Sequence, residues 1–112
     1  MDQKYRQFIE EHVHEYYWKF DLNCATSNLK LLAEYFDVAL DEQVVDAALG
    51  MHGAGKYRAQ CGLVEGGLMF IGLIGRYRSI SDELTVQACY DFAQQFEARF
   101  GSLTCRELRP EG

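Results

Sequence analysis

The stretch CGLVEGGLMFIGLIGRY, Cys61 to Tyr77, decides how this chain folds. Its apolar run, Leu63 to Gly75, contains Glu65 and is shorter than the roughly 20 residues that cross a bilayer. It therefore reads as a buried helix and excludes membrane insertion. Gly62 and Gly66 fall four apart, on one helical face. Each glycine in a helix interior costs up to about 1 kcal/mol against alanine, so five of them here imply that another backbone packs very close. Either a crossing helix or the seam of a homodimer through Gly62, Gly66 and Gly67 would account for them.

The flanking sequence supplies helices for such a crossing. From Gln3 to about Trp18 apolar residues recur at Tyr5, Phe8/Ile9, Val13 and Tyr16/Tyr17, the one-sided stripe of a first helix. Asn23 is a candidate N-cap for a second helix over Cys24–Phe36, with Ala25, Leu29, Leu32, Ala33 and Phe36 in register. A short third helix follows Asp41 as cap and is expected to end on Gly50 as a left-handed terminator. After the glycine helix, Ser79 or Ser81 caps a long element with Leu84, Val86, Cys89, Tyr90, Ala93, Phe96 and Phe100 as its stripe and Gly101 as its stop. Thr104 and Glu107 then match a capping box. No β-type alternation, repeat or linker interrupts this pattern. The reading is a single all-α domain of five or six helices over residues 1–112, with a Gly-rich loop from Met51 to Gln60.

Composition narrows the function classes. The 112 residues are 48% hydrophobic and 25% charged, as in globular proteins. A formal charge of -6 opposes broad attraction to nucleic acid or anionic lipid. The charged N-terminus lacks a secretory signal, so a cytoplasmic location is expected.

Within the loop, GMHGAGKY (Gly50–Tyr57) has the GxxxxGK outline of a phosphate-binding loop. Such a loop needs Ser or Thr after the lysine for magnesium and connects a strand to a helix. Tyr57 occupies the hydroxyl position and a helix precedes Gly50, so no nucleotide is expected.

The four cysteines, 24, 61, 89 and 105, contain no CxxC and are too few for a disulfide framework. Cys24 and Cys105 follow the caps Asn23 and Thr104, and Cys61 opens the glycine helix. Helix N-termini stabilise anions, and thiolate is the form that binds metal or attacks a disulfide. Three thiols from distant parts of one small domain are thus candidates to converge, as catalytic groups or as ligands, against the plainer reading that cysteines fill the core. Cys89 lies on the apolar stripe and reads as packing. His52, in the glycine loop, is the histidine placed to join the three thiols as ligand or proton carrier. His12 and His14 lie two apart on a helix and face different ways. Glu65 is expected to pair with Arg58, Lys56 or Arg76, because an unpaired charge on an apolar face is costly.

The segments NCA (23–25), CGLVEG (61–66), GGLMFIGLIGR (66–76) and FGSLTCRELRPEG (100–112) resemble the C_GCAxxG_C_C family of redox-active proteins, over about Leu22 to Gly112. Cys61, Gly62 and Gly66 match its central element, with Leu63 in place of alanine, and Cys24 and Cys105 match its first and third cysteines. The resemblance implies a small helical protein with metal or electron-transfer chemistry and a redox partner. Members usually carry a further cysteine beyond the ELRPEG-like segment, so the resemblance implies either a shortened form of the sequence or a fourth ligand from His52, solvent or a second subunit. The function expected is a cysteine cluster that holds an iron–sulfur centre or zinc, or cycles between dithiol and disulfide. A noncatalytic helical module with structural cysteines is the alternative.

Overall fold

The computed structural model describes residues 23–110, together with Gln7, Glu10 and Glu11. These three are helical, and the remainder of the helix expected over Gln3–Trp18, His12 and His14 included, lies outside the described residues. The described elements are α1 (Cys24–Tyr35), α2 (Glu42–Ala47), α3 (Gly53–Lys56), α4 (Gly62–Tyr77), α5 (Asp82–Phe100) and α6 (Cys105–Leu108). The only pairing of strand type among them is an isolated antiparallel bridge between Gln60 and Thr104.

Several helix ends obey local chemistry. Asn23 caps α1, its side-chain oxygen accepting from the Thr26 amide at 2.9 Å, and Ser81 caps α5 by accepting from the Leu84 amide. Helix α1 stops in a Schellman motif: Asp37 turns left-handed (φ 57°), Val38 N–H donates to the Ala33 carbonyl, and both apolar partners join the core. Ser79 ends α4 in the same way, and Gly101 (φ 90°) ends α5.

Three caps differ from the sequence reading. The Asp41 side chain makes no cap hydrogen bond at the start of α2. Gly50 has no left-handed φ; α2 stops at Ala47 and unwinds through three-residue turns, Leu49 N–H to Asp46 O and Met51 N–H to Ala48 O. The Thr104 side chain makes no cap hydrogen bond, and its backbone carbonyl receives the Glu107 and Leu108 amides instead.

Four of the five glycines of α4 are consumed by helix crossings within the chain, and Gly72 meets nothing within 4 Å. A Cβ on Gly66 would stand 2.4 Å from the Ala25 carbonyl oxygen, and one on Gly62 would stand 2.8 Å from Cys24 Cβ. Gly67 faces the Phe92 ring and Gly75 faces Thr85, both on α5. Gly62, Gly66 and Gly67 are buried by these contacts, so the seam the sequence offered to a second copy is occupied by α1 and α5.

Leu29, Ala33, Val38, Ala48 and Phe70 form the core between α1, α2 and α4, with Leu32, Val44, Met69 and Leu73 packed on it. Helix α5 is more peripheral. Leu84, Val86, Tyr90 and Phe100, expected on its buried stripe, are exposed, while Thr85, Cys89, Phe92 and Phe96 are half-buried. Among the described residues, no helix is long and apolar enough to cross a membrane.

Candidate functional site

Three local features deliver three cysteines to one place. Cys24 is the first residue of α1, and Asn23, besides capping that helix, donates from Nδ2 to the Leu49 carbonyl at 3.0 Å. That bond ties the start of α1 to the segment leading into His52. Cys61 is the N-cap of α4, and the missing Cβ of Gly62 lets this end of α4 lie against Cys24, Ala25 and the His52 Cα. Asn28 holds the crossing from the side, donating to the Leu63 carbonyl at 2.7 Å.

Cys105 arrives by backbone pairing. The Cys61 amide donates to the Leu103 carbonyl (2.8 Å), the Cys105 amide to Ala59 (2.6 Å) and the Arg106 amide to Arg58 (3.2 Å). With Gln60 opposite Thr104, alternation puts Cys61 and Cys105 on the same face of this short pair, as diagonal neighbours. Arg106 secures the arm, donating to the Tyr57 carbonyl at 2.9 Å with its guanidinium over the Tyr57 ring.

The result is a cavity of about 260 Å³ lined by Cys24, Cys61, Cys105 and His52. Cys61 is buried at 9% exposure, while Cys24 and Cys105 are half-buried, and all four cysteines are free thiols. Cys89 lies apart, on α5, where burial pushes its thiol above the ordinary value. Among the described residues, no three His, Cys, Asp or Glu side chains are grouped as they would be around one metal ion.

Sequence reasoning did not place Lys56, Arg58 and Arg109 on this cavity, yet all three line it. The available signal was their nearness in sequence to Cys61 and Cys105. Arg58 also bonds through its guanidinium to the Arg109 carbonyl, closing the loop onto the C-terminal arm. Lys56 belongs to α3, whose four residues all have positive φ (66°, 57°, 65° and 71°), one turn of left-handed helix. Only glycine enters this region freely, so Gly53 and Gly55 make the turn feasible, while Ala54 and Lys56 bear about 1–2 kcal/mol each. The GxxxxGK outline is thus built on a left-handed turn between two helices, and its lysine faces thiols.

Glu65 takes a different partner from those expected. Its carboxylate accepts from the Gln60 side chain, while Arg76 is ion-paired with Asp82 at 3.1 Å. Glu65 lines a separate hollow with Gln60 and Met51, away from the thiols.

The family model described as "Putative redox-active protein (C_GCAxxG_C_C)" matches residues 22–112. Comparison with curated proteins and with solved structures finds no match.

Proposed function

Since the chain belongs to the C_GCAxxG_C_C family of redox-active proteins, we propose that it is a cytoplasmic thiol-based redox protein whose reacting groups are Cys24, Cys61 and Cys105. The observation that carries this reading is the shared cavity: residues 37 and 44 positions apart in sequence, from three different elements, line one space. Free thiols throughout suit a reducing compartment.

The exposures support a division of roles. Cys24 or Cys105, open to solvent, attacks one sulfur of an oxidant disulfide; its S–S bond breaks and one thiolate leaves, giving a mixed disulfide. Buried Cys61, beside both, then attacks the protein-side sulfur and expels the second thiolate. Two protein thiols have lost two electrons and two protons, and the oxidant disulfide has become two thiols. The reverse sequence reduces the protein.

A metal held by the same thiols is a second reading, favoured by His52, whose Nδ1 is buried without a hydrogen-bond partner. As the side chains stand they do not form a metal cage, and the exchange above runs without one.

The test is mass spectrometry of alkylated protein after anaerobic reduction and after oxidation, with elemental analysis of the same sample. One intramolecular disulfide that includes Cys61 supports thiol exchange. Stoichiometric metal, lost in Cys61→Ser, with thiols that never pair, supports the metal reading. If Cys24→Ser, Cys61→Ser and Cys105→Ser all leave redox behaviour, metal content and stability unchanged, the cysteines are structural and both readings fall.

A further inference from the structure

The thiol cavity carries positive charge in a negative protein. Lys56, Arg58 and Arg109 line it with His52, and among the described residues no Asp or Glu lines it, although the chain as a whole is at -6. None of the three cations is in a salt bridge with a described carboxylate. Two buried side-chain polar atoms lack a hydrogen-bond partner among the described residues, His52 Nδ1 and Arg58 Nε, and both side chains line this cavity. An arginine Nε–H only donates, so what satisfies it is an acceptor, and a metal cation does not serve. Buried polar groups without partners are rare, and here two of them belong to side chains that line one cavity together with two further cations.

We propose that this cavity binds a small carboxylate-bearing molecule next to the thiols, so that the oxidant reacting with Cys24, Cys61 and Cys105 is an anionic disulfide. The inference rests on the thiol-exchange reading and adds its substrate class. A guanidinium presents planar donors that match a carboxylate. A volume of about 260 Å³ lies just below the roughly 300–1,000 Å³ of drug-sized pockets, which fits a compact ligand. Arg58 is held in place at backbone cost, with a φ of 69° that a non-glycine residue rarely adopts. Disulfide exchange supplies the electron balance given above, with the anionic disulfide leaving as two anionic thiols.

Because the whole molecule repels anions, a preference for an anionic oxidant has to come from this local cluster. The experiment uses the full chain and three disulfides: dithiodiglycolate (anionic), bis(2-hydroxyethyl) disulfide (neutral) and cystamine (cationic). Rates of protein thiol loss are read at low and high salt. The expected order is anionic, neutral, cationic, with the anionic probe about tenfold faster than the neutral one at low salt and that ratio collapsing at high salt. Lys56→Gln and Arg58→Gln should each lower the anionic-to-neutral ratio. Lys56 is exposed, so its variant keeps the test valid if Arg58→Gln does not fold. A cationic-first order, following the net charge, overturns the proposal.

Glutarate, a dicarboxylate without sulfur, separates the two readings. If glutarate binds in calorimetry and Lys56→Gln abolishes that binding while no disulfide reacts, thiol exchange fails and the carboxylate site stands. If the disulfides react without charge preference and glutarate does not bind, thiol exchange stands and the carboxylate site fails.

Discussion

Gly66→Ala probes the contact that brings two of the thiols together. The added methyl would sit 2.4 Å from the Ala25 carbonyl oxygen, 3.2 Å from its carbon and 3.3 Å from its Cα. The obstacles are backbone atoms at the start of α1, so no side-chain rotation relieves them. Overpacking of this kind typically costs about 1–3 kcal/mol, and an obstacle of rigid backbone puts this case at the upper end. Alanine returns up to about 1 kcal/mol in helix propensity. The net expectation is a loss of about 2 kcal/mol, or about 8 °C in Tm at roughly 4 °C per kcal/mol. Gly72 is the control, since a Cβ there meets nothing within 4 Å, and Gly72→Ala should stabilise by about 0.5–1 kcal/mol. Urea unfolding of both variants reads these differences directly. If Gly66→Ala is as stable as Gly72→Ala, α1 and α4 do not cross at Ala25, and the placement of Cys24 beside Cys61 falls with that crossing.

Asn23→Ala removes the α1 cap and the tie to Leu49, and should cost about 1–2 kcal/mol in urea unfolding, with Asn23→Ser recovering part of the cap. Ala54→Gly should raise stability by about 0.5–1 kcal/mol, because the left-handed strain at φ 57° exceeds the extra freedom glycine gives the unfolded chain. Cys89 should alkylate along a rate curve displaced to the alkaline side of an ordinary thiol's, because a raised value leaves less thiolate at any given pH, as mass-resolved alkylation at stepped pH would show.

The sequence disclosed what is governed by neighbours a few residues apart. The Asn23 and Ser81 caps, the Gly101 stop and the existence of α1, α4 and α5 follow from side chains reaching their own helix. Gly50 misled because glycine permits the left-handed state without requiring it, while Asp37 and Ser79 adopt that state in turns closed by the Val38-to-Ala33 and Ile80-to-Gly75 backbone hydrogen bonds. The stripe of α5 misled for a related reason. A helix presents an apolar face wherever the residues fall, but among the described residues the face turned to α4 is the one carrying Thr85 and Phe92, against Gly75 and Gly67, and not the one carrying Leu84, Val86 and Tyr90. At the site, Cys24, Cys61 and Cys105 were legible because cysteine is scarce and stood at helix starts. Lys56, Arg58 and Arg109 were not, since a cation in a charged loop gives no sign of the cavity it lines until Arg58 is seen bonded to the Arg109 carbonyl.

The two joints at Cys61 differ in kind, and that difference bears on which cysteine pairs with it first. Cys24 is held by packing: Gly62 and Gly66 press α4 onto α1, and separating them would open the core around Leu29 and Phe70. Cys105 is held by a few backbone hydrogen bonds between residues 58–61 and 103–106, together with the Arg58 and Arg106 side chains, on a four-residue helix that contributes no buried residue. Segments with few buried apolar contacts open at lower free energy than core elements. Under the proposed thiol exchange, Cys105 would therefore be the thiol that swings toward an incoming oxidant, and Cys24 the one that stays beside Cys61 when the arm opens. A mixed disulfide formed at Cys105 needs the arm to close before Cys61 can resolve it, whereas one at Cys24 already lies next to its resolving thiol.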